Sequence, residues 1–328
     1  MKPTHFTSLE QIISTRPAFD MACIITVENF ADLAGDYNFK TDALCQVESI
    51  EAQGKPCKTK HRHGYLGIRS DGKEGLIGST CGPKYFKNHK GFAARAAFVR
   101  RELQLDDLTE RLHSIEADET FLPKTEQLRE RLRVVTEESQ ALIKSLPEDV
   151  AARLRAMVKA GTADLRIEVE FIEKVEDERT GKIHDKAKWV PQTIGSIAGM
   201  NIAERSQIRA LRNGLHAVRV AFESIDANRN LGNTKLLKQL KLLEALPNME
   251  RQVIAFETAW VAFARPQNVN NFWLLSRRQD SQQACMRVAA AAAGLSTPSN
   301  RQVNASIRDA EAVLRTANGN RRIRPEGF

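Results

Sequence analysis

Residues 57–86 read CKTKHRHGYLGIRSDGKEGLIGSTCGPKYF, and the rest of the chain is best understood outward from this stretch. Cys57, His61, His63 and Cys81 bracket short apolar segments punctuated by glycine. Asp71-Gly72, set between Tyr65–Arg69 and Gly75–Ile77, predicts a hairpin with a two-residue type I′ turn, because glycine accepts the positive φ such a turn needs. A tetrahedral zinc site asks for four nitrogen or sulfur donors. Cys57 and His61 form a close pair, Cys81 returns on the far side of the hairpin, and Cys45 is the one other cysteine near enough in sequence. His63 is the rival to His61, and His89 the rival to Cys45. A module with so few large apolar residues would need such a staple to fold. The expected site is a closed, structural zinc on Cys45, Cys57, His61 and Cys81. The competing reading is three free thiols and two surface histidines in a basic loop. The five cysteines of the chain are an odd number, which argues against a disulfide framework.

Catalytic zinc needs an open position and a general base. Glu48, Glu51, Asp71 and Glu74 are the acids nearby, and none stands in an H-E-x-x-H or H-x-E…C-x-x-C arrangement. The chain also has no P-loop, no G-x-G-x-x-G and no G-x-S-x-G, so the expectation leans away from an enzyme.

The run Cys57-x-x-x-His61, a hairpin, then Ile77-Gly78-Ser79-Thr80-Cys81 resembles a zinc-binding segment of uncharacterised phage and plasmid proteins. In those, a Cys-x-x-Cys pair precedes the hairpin and a Val/Ile-Gly-Ser-x-Cys motif follows it. The resemblance spans about residues 45–90, and His61 stands where the pattern has a cysteine. It implies a bacterial or mobile-element origin and brings no established activity.

Charge is distributed unevenly. Lys55 to Arg101 holds twelve lysines and arginines against Asp71 and Glu74, more than the whole net charge of +8, whereas Glu102 to Asp149 has thirteen acids against six bases. A localised basic patch is either an electrostatic footprint for phosphates or a solvated face balancing the acidic stretch beside it. Aromatic rings interleaved with bases suit a nucleic-acid strand, whose bases stack while its phosphates are neutralised. The expected contacts are Lys58, Lys60, Arg62, Lys84, Lys87, Lys90 and Arg95, with Tyr65 and Tyr85 for stacking; Phe86 and Phe92 read as core.

Further along, apolar spacing is mostly helical. A helix is expected from Ser8, a strand over Met21–Val27, and a helical hairpin over 96–161 interrupted at Phe121–Pro123 and ended by Gly161. Leu165, Ile167, Val169 and Phe171 alternate with charged residues, predicting a strand that turns at Arg179–Lys182 and returns through Lys188-Trp-Val. Ile208 to Ile225, Leu236 to Leu243 and Met249 to Phe263 carry a/d seams too short for a long coiled coil and suited to antiparallel helices. Residues 286–302 resemble a helix-turn-helix, with Asn300, Arg301 and Gln302 where base-reading side chains would lie. The expected class is mainly α: a small zinc-stapled α+β module over 1–95, a helical hairpin over 96–161, an inserted β-hairpin over 162–195, and a helical bundle over 196–328 with a basic tail.

No apolar run approaches the length of a membrane span, and residues 1–15 lack the core of a secretory signal, so a cytoplasmic protein with no membrane partner is expected. The favoured function is non-enzymatic binding of nucleic acid, DNA or RNA unresolved. The alternative is an interaction scaffold in which the helices of 208–263 self-associate and the basic module only complements acidic surfaces.

Overall fold

A computed structural model describes residues 2–176, 179, 182–225 and 232–326. The chain forms two compact units, Met1–Asp118 with Ser224–Lys241, and Glu119–Glu223 with Leu242–Phe328.

The first unit is built on a four-stranded sheet in the order β1-β2-β3-β4. β1 (Thr4–Phe6) runs parallel to β2 (Phe30–Leu44), and β3 (Lys60–Arg69) and β4 (Glu74–Gly78) continue antiparallel. Alternation along the strands gives the sheet two apolar faces. One cluster gathers Phe6, Ile12, Tyr37, Phe39, Leu66 and Leu76. The other gathers Ile25, Phe30, Leu33, Ile77, Phe86 and Phe92, with Ala96 and Val99 of a long helix. The module therefore has a real core on both faces, and the expectation that it lacks one is corrected. Phe86 and Phe92 are core, stacked 4.7 Å apart.

Helix α1 (Leu9–Thr15) starts where the sequence places it, with Ser8 accepting from the Gln11 N–H. The strand expected over Met21–Val27 is absent; only Ile25 makes an isolated bridge, to Val47. The β3–β4 hairpin is present, but its turn differs. Ser70, Asp71 and Gly72 form a three-residue loop in which the Gly72 N–H donates to the Arg69 carbonyl and only Gly72 has positive φ, at 84°. This is a type I turn followed by a glycine bulge rather than a type I′ turn. Helices α2 (Cys81–Tyr85) and α3 (Lys90–Glu116) follow.

In the second unit, α4 (Phe121–Ser145), α6 (Arg205–Glu223) and α8 (Leu246–Phe263) pack together; α7 (Asn233–Leu243), which precedes α8 in sequence, belongs up to Lys241 to the first unit. Pro123 lies inside the first turn of α4, where the missing N–H costs no hydrogen bond. Leu128, Leu132 and Val135 of α4 and Ile208, Leu211, Leu215 and Val218 of α6 are all buried, and Phe121 stacks on Phe222 with centroids 5.1 Å apart. Arg131 pairs with Glu257 and Lys124 with Glu250 across the α4–α8 contact. Helix α5 (Glu148–Ala160) ends at Gly161, φ 67°, as the spacing predicts.

A second sheet, ordered β6-β5-β7, has β5 (Asp164–Glu176) between β6 (Ile183–Ser196) and β7 (Ile323–Pro325). Leu165, Ile167 and Val169 are buried at every second position, the period-two pattern read from sequence. Of the expected turn, Thr180 and Gly181 lie outside the described residues. The basic tail supplies β7: Arg324 pairs with Glu168 and lies 4.0 Å over the Trp189 ring, while Arg322 faces Glu170 at 3.5 Å.

A one-turn helix α9 (Pro266–Val269), α10 (Gln279–Ala292) and α11 (Asn300–Ala317) complete the unit. The corner resembling a helix-turn-helix spans 293–299, longer than the three- or four-residue turn of that motif. Asn300 accepts from Arg287, and Gln302 closes a capping box with Ser299.

The mainly α expectation is overturned: the chain is 54% helix and 22% strand, with one sheet N-terminal and one central. The strands β2, β5 and β6, of 13 to 15 residues, are what move it into the α+β class. Among the described residues, no helix is long and apolar enough to cross a membrane.

Candidate metal centre

Three of the four expected ligands meet. The Cys45, Cys57 and Cys81 sulfurs all lie within 4.8 Å of one another. Cys57 Sγ and Cys81 Sγ are 3.7 Å apart, against about 3.8 Å for two sulfurs on a tetrahedral ion with metal–sulfur bonds of about 2.3 Å. The arrangement can hold a metal ion.

Local backbone structure explains how distant cysteines converge. Directly after β2, Cys45-Gln46-Val47 pairs with Cys57-Lys58-Thr59: the Cys45 N–H donates to the Thr59 carbonyl, the Lys58 N–H to the Cys45 carbonyl, and the Cys57 N–H to the Val47 carbonyl. Lys58 takes φ 58°, which lets the strand kink between its paired neighbours. Gln46, 5% exposed, anchors this segment. Its side-chain oxygen accepts from the Leu76 N–H, and its amide nitrogen donates to the Asp20 and Cys23 carbonyls. Sequence reading missed Gln46, since a lone glutamine carries no local signal. Cys81 is the first residue of α2.

Each sulfur is met by hydrogen-bond donors. Cys45 accepts from the backbone N–H of Val47 and Gly78. Cys57 accepts from the Thr59 hydroxyl at 2.9 Å, the Thr59 N–H and the Tyr85 hydroxyl. Thr80 donates to Cys81. Such donors stabilise thiolate and orient it, which is how surrounding groups prepare metal ligands. Burial pushes Cys45 up to about 12 and raises Cys81. Burial also raises Cys57, but the Thr59 and Tyr85 donors outweigh it and bring that thiol down to about 7. Sulfur donors with such unequal proton affinities are evened out by a cation, which deprotonates all of them on binding.

The histidines lie elsewhere. His61 is not among the donors within 4.8 Å. Its Nδ1 lies 3.0 Å from the Tyr37 hydroxyl, and its ring covers Gly78, the residue whose N–H donates to Cys45. A Cβ at position 78 would stand 2.6 Å from the ring. Burial lowers the His61 pKa, against the opposing pull of Asp42. His63 is exposed on β3, and His89 caps α3 by accepting from the Phe92 N–H.

The expected nucleic-acid contacts divide into two groups. Lys58, Lys60, Lys84 and Lys87 are exposed and form no ion pair among the described residues, and Lys58, Lys60 and Lys84 are within three residues of a cluster cysteine. Lys84 lies over the Tyr85 ring at 5.3 Å. Arg62 instead pairs with Asp42, and Arg95 with Asp32 while stacking on Phe98. Tyr65 packs edge-on against Phe92, and Tyr85 directs its hydroxyl at Cys57. The Lys90 side chain lies outside the described residues. No family model matches this chain, and no curated protein or solved structure is significantly similar to it.

Proposed function

We propose that the first unit is a nucleic-acid-binding module whose basic surface is held in shape by a structural zinc. The observation that carries this reading is the unpaired set Lys58, Lys60, Lys84 and Lys87 beside the three-thiol cluster. Three sulfur donors favour a soft or borderline ion, and zinc takes them without redox chemistry. His61 is proposed as the fourth ligand. The Tyr37 hydroxyl lies nearer its Nδ1, at 3.0 Å, than its Nε2, at 3.5 Å; holding the ring by Nδ1 would free Nε2 for the ion, the division of labour usual for a metal-binding imidazole. The reading is of a binding protein rather than an enzyme, and the mobile-element origin implied by the resemblance over residues 45–90 belongs to the same proposal.

The lysines would contact phosphates, with DNA and RNA bound alike through the backbone. Affinity should fall steeply with salt, each neutralised phosphate contributing a slope of about −0.7 to −0.9 in log K against log salt. Elemental analysis of untagged protein should find about one zinc per chain, and the Lys58→Ala/Lys60→Ala/Lys84→Ala/Lys87→Ala variant should bind oligonucleotide with a visibly shallower salt slope. Binding that is indifferent to salt, or a purified protein without metal, would defeat the reading.

The scaffold alternative loses its main feature, because the seam residues Ile208, Leu211, Leu215, Val218, Val253 and Phe263 are buried inside their own unit.

A further inference from the structure

We infer that the groove between α10 and α11 binds the phosphate of a nucleotide, either free or as one unit of a strand. The groove encloses about 710 Å³, within the ~300–1,000 Å³ of small-ligand sites. Arg301 and Arg308 stand along one wall, two turns apart on α11, so their backbones are separated by roughly 10 Å at 1.5 Å per residue. Neither guanidinium has a hydrogen-bond or ion-pair partner among the described residues, whereas arginines such as Arg16, Arg95, Arg131, Arg153, Arg277 and Arg324 are each held by a carboxylate. Guanidinium is the side chain best shaped for bidentate contact with phosphate oxygens.

Between the two arginines sits Asn304. Its carbonyl accepts from Gln283 at 2.9 Å, which orients the amide, and its N–H groups have no acceptor among the described residues. Gln279 and Gln282 form the facing wall at the first turn of α10, whose helix dipole adds positive potential at that end. The acid of that turn, Asp280, is held by Arg278. Glu311 is the carboxylate lining the groove, and it faces Arg315 at 3.6 Å. Ile307, 7% exposed, offers an apolar floor on which a base or sugar can lie. Gln282 is buried and donates its amide to the Ser276 carbonyl, so the carboxamides left beside this floor to read the donor and acceptor edge of a base are those of Gln279 and Asn304. The chemistry is therefore phosphate by arginine, base by amide.

This site shares no residue with the proposed zinc module, so the two fail separately. The full-length, metal-loaded protein would be titrated calorimetrically with adenosine monophosphate and with a single-stranded oligonucleotide. Arg301→Ala/Arg308→Ala and the four-lysine variant would be run in parallel, with thermal melting as the folding control, since both arginines are exposed. The expected result is mononucleotide binding that weakens about tenfold or more in the double-arginine variant and is unchanged in the four-lysine variant. Silence with the mononucleotide, together with a similar loss of oligonucleotide affinity in the double-arginine variant, would support the site and assign it to a strand. Mononucleotide and oligonucleotide affinities both untouched by Arg301→Ala/Arg308→Ala would overturn it, as would silence with the mononucleotide combined with oligonucleotide binding that depends on the four lysines alone.

Discussion

Cys57 is the half-exposed member of its cluster, and Cys45 and Cys81 are buried. Substituting any one of the three by serine should reduce bound metal from about one ion per chain to near none, because two sulfurs hold zinc far more weakly than three or four. Cys23→Ser and Cys285→Ser should keep full metal content, since both thiols are buried elsewhere; elemental analysis separates the two sets. Asp149 offers a test in the second unit. Burial alone would raise its pKa, but the Ser276 and Ser281 hydroxyls and nearby backbone N–H groups hold the carboxyl below the usual aspartate range. A group whose folded-state pKa is depressed stabilises the fold above its unfolded pKa and loses that contribution as pH falls through the folded value. Asp149→Ala should therefore cost ~1.5–3 kcal/mol at pH 7, the worth of hydrogen bonds to a charged group, and much less at pH 2–3; urea titrations at the two pH values measure the difference. At this scale the sequence was partly legible. Cys57 and Cys81 announced themselves through a hairpin that could be seen, whereas Cys45 could be reached only by elimination. Its approach depends on the pairing of 45–47 with 57–59 and on Gln46, neither of which leaves a periodic trace.

Helices were legible as elements because a 3.6-residue period survives over many turns, and α4, α6 and α8 begin or end within a few residues of their expected limits. Strands fared unevenly. β5 showed a clean alternation, but β2 contains Ala31, Asp32, Ala34, Gly35, Asp36 and Asn38, residues poor in strand propensity, and is held by two strand neighbours instead. The apolar, β-branched run at 21–27 had the right composition and forms no strand, for the sheet offers it one bridge only. Underestimating β2 and the return strand β6 is what led to the mainly α expectation. Local chemistry remains decisive at helix ends. Ser299 caps α11 in a reciprocal box with Gln302, so Ser299→Ala should destabilise the second unit by about 1 kcal/mol. The same change should speed hydrogen exchange in the first turn of α11 more than in α10, which mass spectrometry of peptides from the two helices resolves.

For the whole chain, the two compact units predict a localised response to metal removal. Every cluster thiol belongs to the first unit, and that unit keeps two apolar clusters of its own. Chelation should therefore loosen residues 45–59 and 79–86 without unfolding the sheet. Peptides from Glu119–Glu223 and Leu242–Phe328 should exchange as before. Global unfolding on chelation, seen as loss of far-ultraviolet circular dichroism, would show that the apolar clusters are insufficient without the ion.

The first unit is also discontinuous: residues 224–241 join a body whose other part ends at Asp118. Asn233 reaches back to the Arg101 carbonyl at 2.9 Å, fastening that late segment to α3. A ribosome adding roughly 5–20 residues per second needs on the order of 5–21 s to make the intervening residues 119–223. For that interval the nascent first unit carries its cysteines and basic surface without its closing piece. The second unit, likewise, starts before that piece and ends after it. Synthesis of this protein thus interleaves two folding problems, and the one that begins first cannot be finished until the other is well under way.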